Sequence, residues 1–153
     1  MKAKDYLDRV EKLDTIIKNK LIERAQWRDV ALGVTARSDG ERVQASGSKN
    51  KLGDAVAKAV DIEAEINALV DKLIDAKKEI TATIELLNAT EYDVLHMRYI
   101  QHLSYIDIAD AKCRDYNWVT TVHGRALKNV QAILDERERH EIVEQQREEA
   151  KGL

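Results

Sequence analysis

At 153 residues the chain has room for one ordinary domain, or for a small domain joined to an extended helical element. Charged side chains make up 35% of it, with no proline, no phenylalanine and only six glycines, a composition of long solvated helices that argues against a sheet protein. The net charge of −3 gives no overall basic field to attract nucleic acid, and a single cysteine excludes an internal disulfide and fits a reducing cytoplasm.

Residues 1–32 read as a first stalk helix. Tyr6, Val10, Leu13, Ile17 and Leu21 recur in steps of three and four, leaving Lys, Asp and Glu on the other face. Ile16 and Ile22 widen that stripe, and Trp27 continues the buried side. At about 1.5 Å per residue the helix is roughly 45 Å long. No stretch reaches the ~20 apolar residues of a membrane span, so neither signal peptide nor anchor is expected. Residues 33–53 carry Gly33, Gly40, Gly47 and Gly53 among Ser, Asp and Asn, and read as a flexible linker. Helix–helix connections usually take about 2–8 residues, so this one is longer than geometry requires.

Residues 54–88 read as a second stalk helix. Ala59, Ile66, Leu73, Ile80 and Leu87 recur every seven residues, with Ile62, Leu69, Ala76 and Thr83 three positions after the first four. This is an a/d heptad seam, widened by Val56, Val70 and Ile84. It predicts a hairpin with the first helix, and it is wide enough to hold a second copy of the chain. An apolar stripe at this spacing is packing surface and carries no chemistry.

Residues 89–134 read as a compact helical domain. Thr90 and Asp93 have the layout of a capping box, starting a helix to about Gln101 that packs Val94, Leu95 and Tyr99. Ser104 and Asp107 repeat the layout before a short helix carrying Ile106, Ile108 and Ala109. The polar break Lys112-Cys113-Arg114-Asp115 follows. Asp115 then caps a helix that buries Val119, Val122 and Leu127. Residues 135–153 form a charged helical tail with four basic and seven acidic groups, where Ile142 and Val143 are the only large apolar pair before Leu153.

The run Leu95-His96-Met97-Arg98-Tyr99-Ile100, with Leu103-Ser104-Tyr105, Ile108-Ala109 and Arg125-Ala126-Leu127, resembles bacterial sigma-factor region 4, the part that recognises the −35 promoter element. Val122-His123-Gly124-Arg125-Ala126-Leu127 and the helical N-terminal half resemble more closely a family of small phage and prophage proteins of Gram-positive bacteria, called sigma-like or late-transcription regulators. The specific match covers residues 90–134. Lys112 and Arg114 depart from it at turn sites usually apolar or aromatic, and Cys113 stands where glycine is common. The resemblance implies an all-α fold, a long helical hairpin (a coiled-coil-like stalk) followed by a sigma region 4-like helix-turn-helix domain. It implies a transcription regulator acting on double-stranded DNA, with the helix at 116–130 in the major groove and the stalk dimerising or contacting RNA polymerase.

In that arrangement the N-terminal residues of the second helix meet base edges. Tyr116, Asn117, Thr120 and Thr121 are the candidates: Asn bonds adenine in a bidentate fashion, and a Thr methyl packs on the thymine methyl. Arg125, Lys128 and Arg114 are candidates for phosphates, which fix register without reading sequence. Residues 90–134 balance at five basic and five acidic groups, but 116–134 holds Arg125 and Lys128 and no acid. Tyr116 and Trp118 have packing against the preceding helices as their structural alternative. His96, His102, His123 and Cys113 form no metal-ligand spacing, and His123 reads as a helix-surface group. No phosphate cradle or nucleophile constellation is present, so no enzyme activity, metal or cofactor is expected. Two other functions fit the same elements: a small-terminase-like packaging subunit that forms rings through its hairpin, and a protein-interaction module that does not touch DNA. A homodimer is expected for the regulator, because one module with few basic residues gains little from counterion release.

Overall fold

The computed structural model describes the backbone of residues 1–38 and 45–153, and side chains outside 34–49. Every regular element among the described residues is helical: α1 (Ala3–Ser38), α2 (Ala45–Ile84), α3 (Ala89–Leu95), a π-helical turn (His96–Ile100), α4 (Tyr105–Lys112) and α5 (Tyr116–Lys151). None of these helices is long and apolar enough to cross a membrane. The chain divides into two units, one of residues 12–74 and one of residues 1–11 with 75–153.

In the unit of residues 12–74, α1 and α2 lie antiparallel. Ile17, Ile62 and Ile66 form a buried cluster, with Leu69, Val70 and Leu73 packed against it. Lys20 pairs with Glu65 at 2.5 Å on one flank, and Arg24 with Glu63 at 3.6 Å on the other. Residues 33–53 are not one long loop, because α1 runs on through Ser38 and α2 begins at Ala45. The remainder of the expected linker, 39–44, lies outside the described residues. Glycine inside a helix costs about 1 kcal/mol relative to alanine, which lowers helix propensity without forbidding it. Gly33 and Gly53 are both helical and have open space where a Cβ would stand. The wide stripe expected on α1 is also corrected: Ile16, Leu21, Ile22, Trp27 and Val30 are at least a third exposed, as is Val56 on α2.

The other unit packs the start of α1 and the end of α2 with α3–α5. Tyr6, Leu7 and Val10 are buried, as are Ala76, Ile80, Thr83 and Ile84. Thr83, a polar residue on the heptad seam, is satisfied there. Its Oγ1 donates to the Glu79 carbonyl at 3.0 Å and accepts from the Tyr6 hydroxyl and Arg137, both at 2.8 Å. The chain start is held by α5, whose Gln131 Oε1 accepts from the Ala3 N–H at 2.7 Å. The expected helix over 90–101 is instead two pieces. Asn88, not Thr90, caps α3, its Oδ1 accepting from the Glu91 N–H at 2.9 Å. Asn ranks among the best N-caps, so the start moves two residues toward the N-terminus. After Leu95 the turn widens, and the Gln101 N–H bonds the His96 carbonyl five residues back at 3.0 Å.

α5 is one continuous helix of 36 residues, so the tail 135–153 extends the preceding helix without a break. From Glu138 onward all its side chains are exposed.

Candidate nucleic-acid interface

The junction of α4 and α5 is closed by three local devices written in the sequence. Ser104 Oγ accepts from the Asp107 N–H at 3.1 Å and starts α4. Cys113 ends it in the left-handed conformation (φ 53°), and the Arg114 N–H bonds the Ala109 carbonyl at 2.9 Å while the Cys113 N–H bonds the Asp110 carbonyl at 3.2 Å. This pair of bonds is a Schellman motif, where glycine normally stands because it has no Cβ to clash. Asp115 Oδ1 then accepts from the Trp118 N–H at 2.7 Å and starts α5. The cost of a side chain at this turn gives a test: Cys113→Gly should raise stability by about 0.5–1 kcal/mol, read as a higher thermal midpoint. A lower midpoint would mean the turn does not hold Cys113 at positive φ.

Beneath the junction, Val94, Ile108, Ala109, Val119 and Val122 form a buried cluster, with Met97, Leu103, Tyr105 and Trp118 against it. Ile106 is 64% exposed, being two residues from Ile108 and therefore on another helix face. Leu127 is half-buried.

His123 is buried, and the surface role expected for it is corrected. Its Nε2 lies 2.7 Å from the Tyr99 hydroxyl, and Tyr105 closes over the ring edge at a centroid distance of 5.2 Å. Burial, with Arg98 and Lys4 adding positive charge, lowers its pKa from 6.5 to about 4. Burial also pushes the Tyr99 phenol well above its ordinary value. The ring is therefore a neutral strut between the π turn and α5. Its place on the buried stripe was readable, since His123 falls between Val119 and Ala126 at helical spacing.

Glu91 is the second buried polar group that the sequence did not single out. It is 2% exposed, and its carboxylate accepts from Asn129 Nδ2 at 2.9 Å and lies 3.4 Å from Arg125 Nε. Arg125 is thus partly committed inside the fold. Lys112 is paired with Asp93. Among the cations from the start of α4 to Lys128, Arg114 and Lys128 have no carboxylate partner among the described residues; Arg114, in the turn, stacks over the Trp118 ring at 5.3 Å. Arg125→Ala should therefore lower stability by about 1–3 kcal/mol by stranding the Glu91 charge. Lys128→Ala should change it by less than about 0.5 kcal/mol. Equal effects in urea unfolding would overturn the distinction.

The candidate base-contact residues separate by face. Asn117, Thr121, Gly124 and Lys128 recur in steps of four, three and four, and all are exposed. This stripe lies opposite the buried one of Val119, Val122, Ala126 and Val130. Thr120 sits at its edge, half-buried, and Tyr116 is 51% exposed with its ring edge-on to Tyr105. The Thr120 and Thr121 hydroxyls donate to the Asn117 carbonyl at 3.0 and 2.8 Å, which leaves their methyls as the free part of each side chain. Gly124 has open space where a Cβ would stand. Arg114, Trp118 and Arg125 fall on the adjoining flank, lining a shallow cleft with Asn88, Thr90 and Glu91. No group of three or more metal-ligating side chains occurs among the described residues. No family model, curated protein or solved structure matches this chain.

Proposed function

We propose that this chain is a sequence-specific binder of double-stranded DNA, a transcription regulator of the phage type, whose α4–turn–α5 unit acts as a sigma region 4-like helix-turn-helix. The observation that carries the reading is the outward stripe Asn117–Thr121–Gly124–Lys128 at the start of a helix capped and braced from behind. An α-helix fits the major groove, and there a rigid helix with an amide, two methyl-bearing threonines and a side-chain-free position can approach base edges closely. Asn117 bonds adenine, Thr121 meets a thymine methyl, and Lys128 and Arg114 sit against phosphates on either side. Tyr116 and Thr120 contact the groove at the edge of the stripe, and Arg125 adds charge from the flank while holding Glu91.

Two free cations are few for a DNA binder. Each neutralised phosphate adds about 0.9 to the salt slope, and nonspecific binding alone reaches only about 10⁻⁴–10⁻⁶ M. A second copy of the chain or a contact to RNA polymerase supplies the missing affinity in this reading. One observation favours a different function: the fully exposed end of α5, with Ile142 and Val143 at 49% and 46% exposure among acids, suits a protein partner without DNA.

Selection of random duplexes on the purified chain at low salt distinguishes the two. Enrichment of one motif supports DNA reading, and a palindromic motif supports a dimer. A folded protein that enriches nothing sinks autonomous DNA recognition and leaves the protein-interaction reading.

A further inference from the structure

We propose that the outer face of α2 from Val56 to Ile74 is a self-association surface on which the α2 helices of two chains pack antiparallel about a twofold axis at the level of residue 65, setting Val60 against Val70 of the partner subunit. This specifies the two-copy element of the proposed function, and it stands whether or not DNA binds.

The observation behind it is a second stripe on α2, beside the heptad seam. Val56, Val60, Glu63, Asn67, Val70 and Ile74 recur in steps of four, three, four, three and four. Val56, Val60 and Ile74 are 48%, 58% and 45% exposed, and Val70 is half-buried. α1 adds Leu21, Ala25, Arg28 and Leu32 in steps of four, three and four, with Leu21 and Leu32 at 38% and 68% exposure. Arg28 lies 3.9 Å from Glu63, so the two stripes share one flank.

The α2 stripe is symmetric about its midpoint. Val56 and Ile74 lie nine residues either side of Glu65, Val60 and Val70 five, and Glu63 and Asn67 two. A twofold interface uses the same patch on both subunits and therefore needs a self-complementary one. Antiparallel pairing about Glu65 puts apolar against apolar at four places and the Glu63 carboxylate against the amide of Asn67 of the partner subunit. Parallel pairing would instead place Glu63 against Glu63 of the partner subunit, a like-charge contact. A polar pair within an apolar seam fixes register in this way.

Charge and area agree with a second copy as the occupant. Residues 12–74 carry eleven basic and ten acidic side chains, so two copies do not repel. The strip from Val56 to Ile74 is about 27 Å long and two helices, or about 20 Å, wide. Its projected area of roughly 540 Å² approaches the ~600 Å² per partner at which stable interfaces begin.

The test uses the full chain with Cys113→Ser. Light scattering should give twice the 17.4 kDa chain mass without DNA. Val60→Cys with Val70→Cys should form an intermolecular disulfide on mild oxidation. Val60→Cys alone should not, because antiparallel register holds its two copies about 15 Å apart along the axis, beyond the ~7 Å Cα separation a disulfide spans. Val60→Glu with Val70→Glu should halve the mass while far-UV dichroism keeps its helix signal. A monomeric parent, cross-linking by Val60→Cys alone, or full dimer mass in the glutamate variant would each overturn the proposal. If the glutamate variant does not fold, the cysteine pair decides.

Discussion

Asn117→Ala is expected to weaken binding to the selected duplex by about 5–150-fold, the ~1–3 kcal/mol of one bidentate base contact. Binding to unrelated duplexes should be nearly unchanged. Asn117 is exposed in the first turn of α5, so the thermal midpoint should also hold. Lys128→Ala should behave differently, weakening all duplexes alike and reducing the salt slope by about 1. Competition binding at several salt concentrations separates the two. If Asn117→Ala lowers specific and nonspecific affinity equally, the outward stripe does not read sequence. Gly124→Ala sharpens the test. It should stabilise the helix by about 0.5–1 kcal/mol, yet reduce specific affinity if close approach of the backbone is what that position provides.

Acid should destabilise the unit built on α3–α5 earlier than its carboxylates alone would. The unfolded chain takes a proton onto His123 near pH 6.5, whereas the folded chain resists it until about pH 4. Stability from the neutral ring is therefore complete above the unfolded pKa and is lost as pH falls toward the folded one. A shift of this size corresponds to about 3 kcal/mol in total, of which about 2 kcal/mol is gone by pH 5. Urea unfolding at pH 7.5 and 5 should show this loss, and His123→Gln should remove most of the pH dependence while lowering stability at pH 7.5. Parallel losses in both proteins would show that His123 is not the titrating strut.

What the sequence made legible follows from the range of the interactions involved. The heptad seam is where periodicity places it as far as Thr83: Ala59, Ile62, Ile66, Ala76, Ile80 and Thr83 are buried, and Leu69 and Leu73 half-buried, whereas Leu87, its expected last member, lies in the turn beyond the end of α2 at Ile84. The caps at Ser104 and Asp115 were readable because each bonds a neighbour three residues away. Cys113 was readable as the turn for the same reason. Glu91 is not marked out by the sequence and His123 reads there as a surface group, since their partners lie tens of residues off: Asn129 is 38 residues from Glu91, and Tyr99 is 24 from His123. Arg125 shows the consequence for the candidate site. Sequence presents it as a free cation, and packing ties it to a carboxylate. Helix enters both ends of the expected linker for the opposite reason, because glycines lower local propensity without deciding whether a helix already propagating from Ala3 will stop.

The continuity of α5 turns its C-terminal half into a lever. Asn117 and Glu149 lie on the same helix, 32 residues and about 48 Å apart. A tilt of about 5° at the first turn swings Glu149 through roughly 4 Å by that geometry. Small adjustments of the outward stripe are therefore magnified at the acidic end. The relation also runs in reverse, so anything that grips the acidic end sets the pitch at which Asn117 and Thr121 are presented.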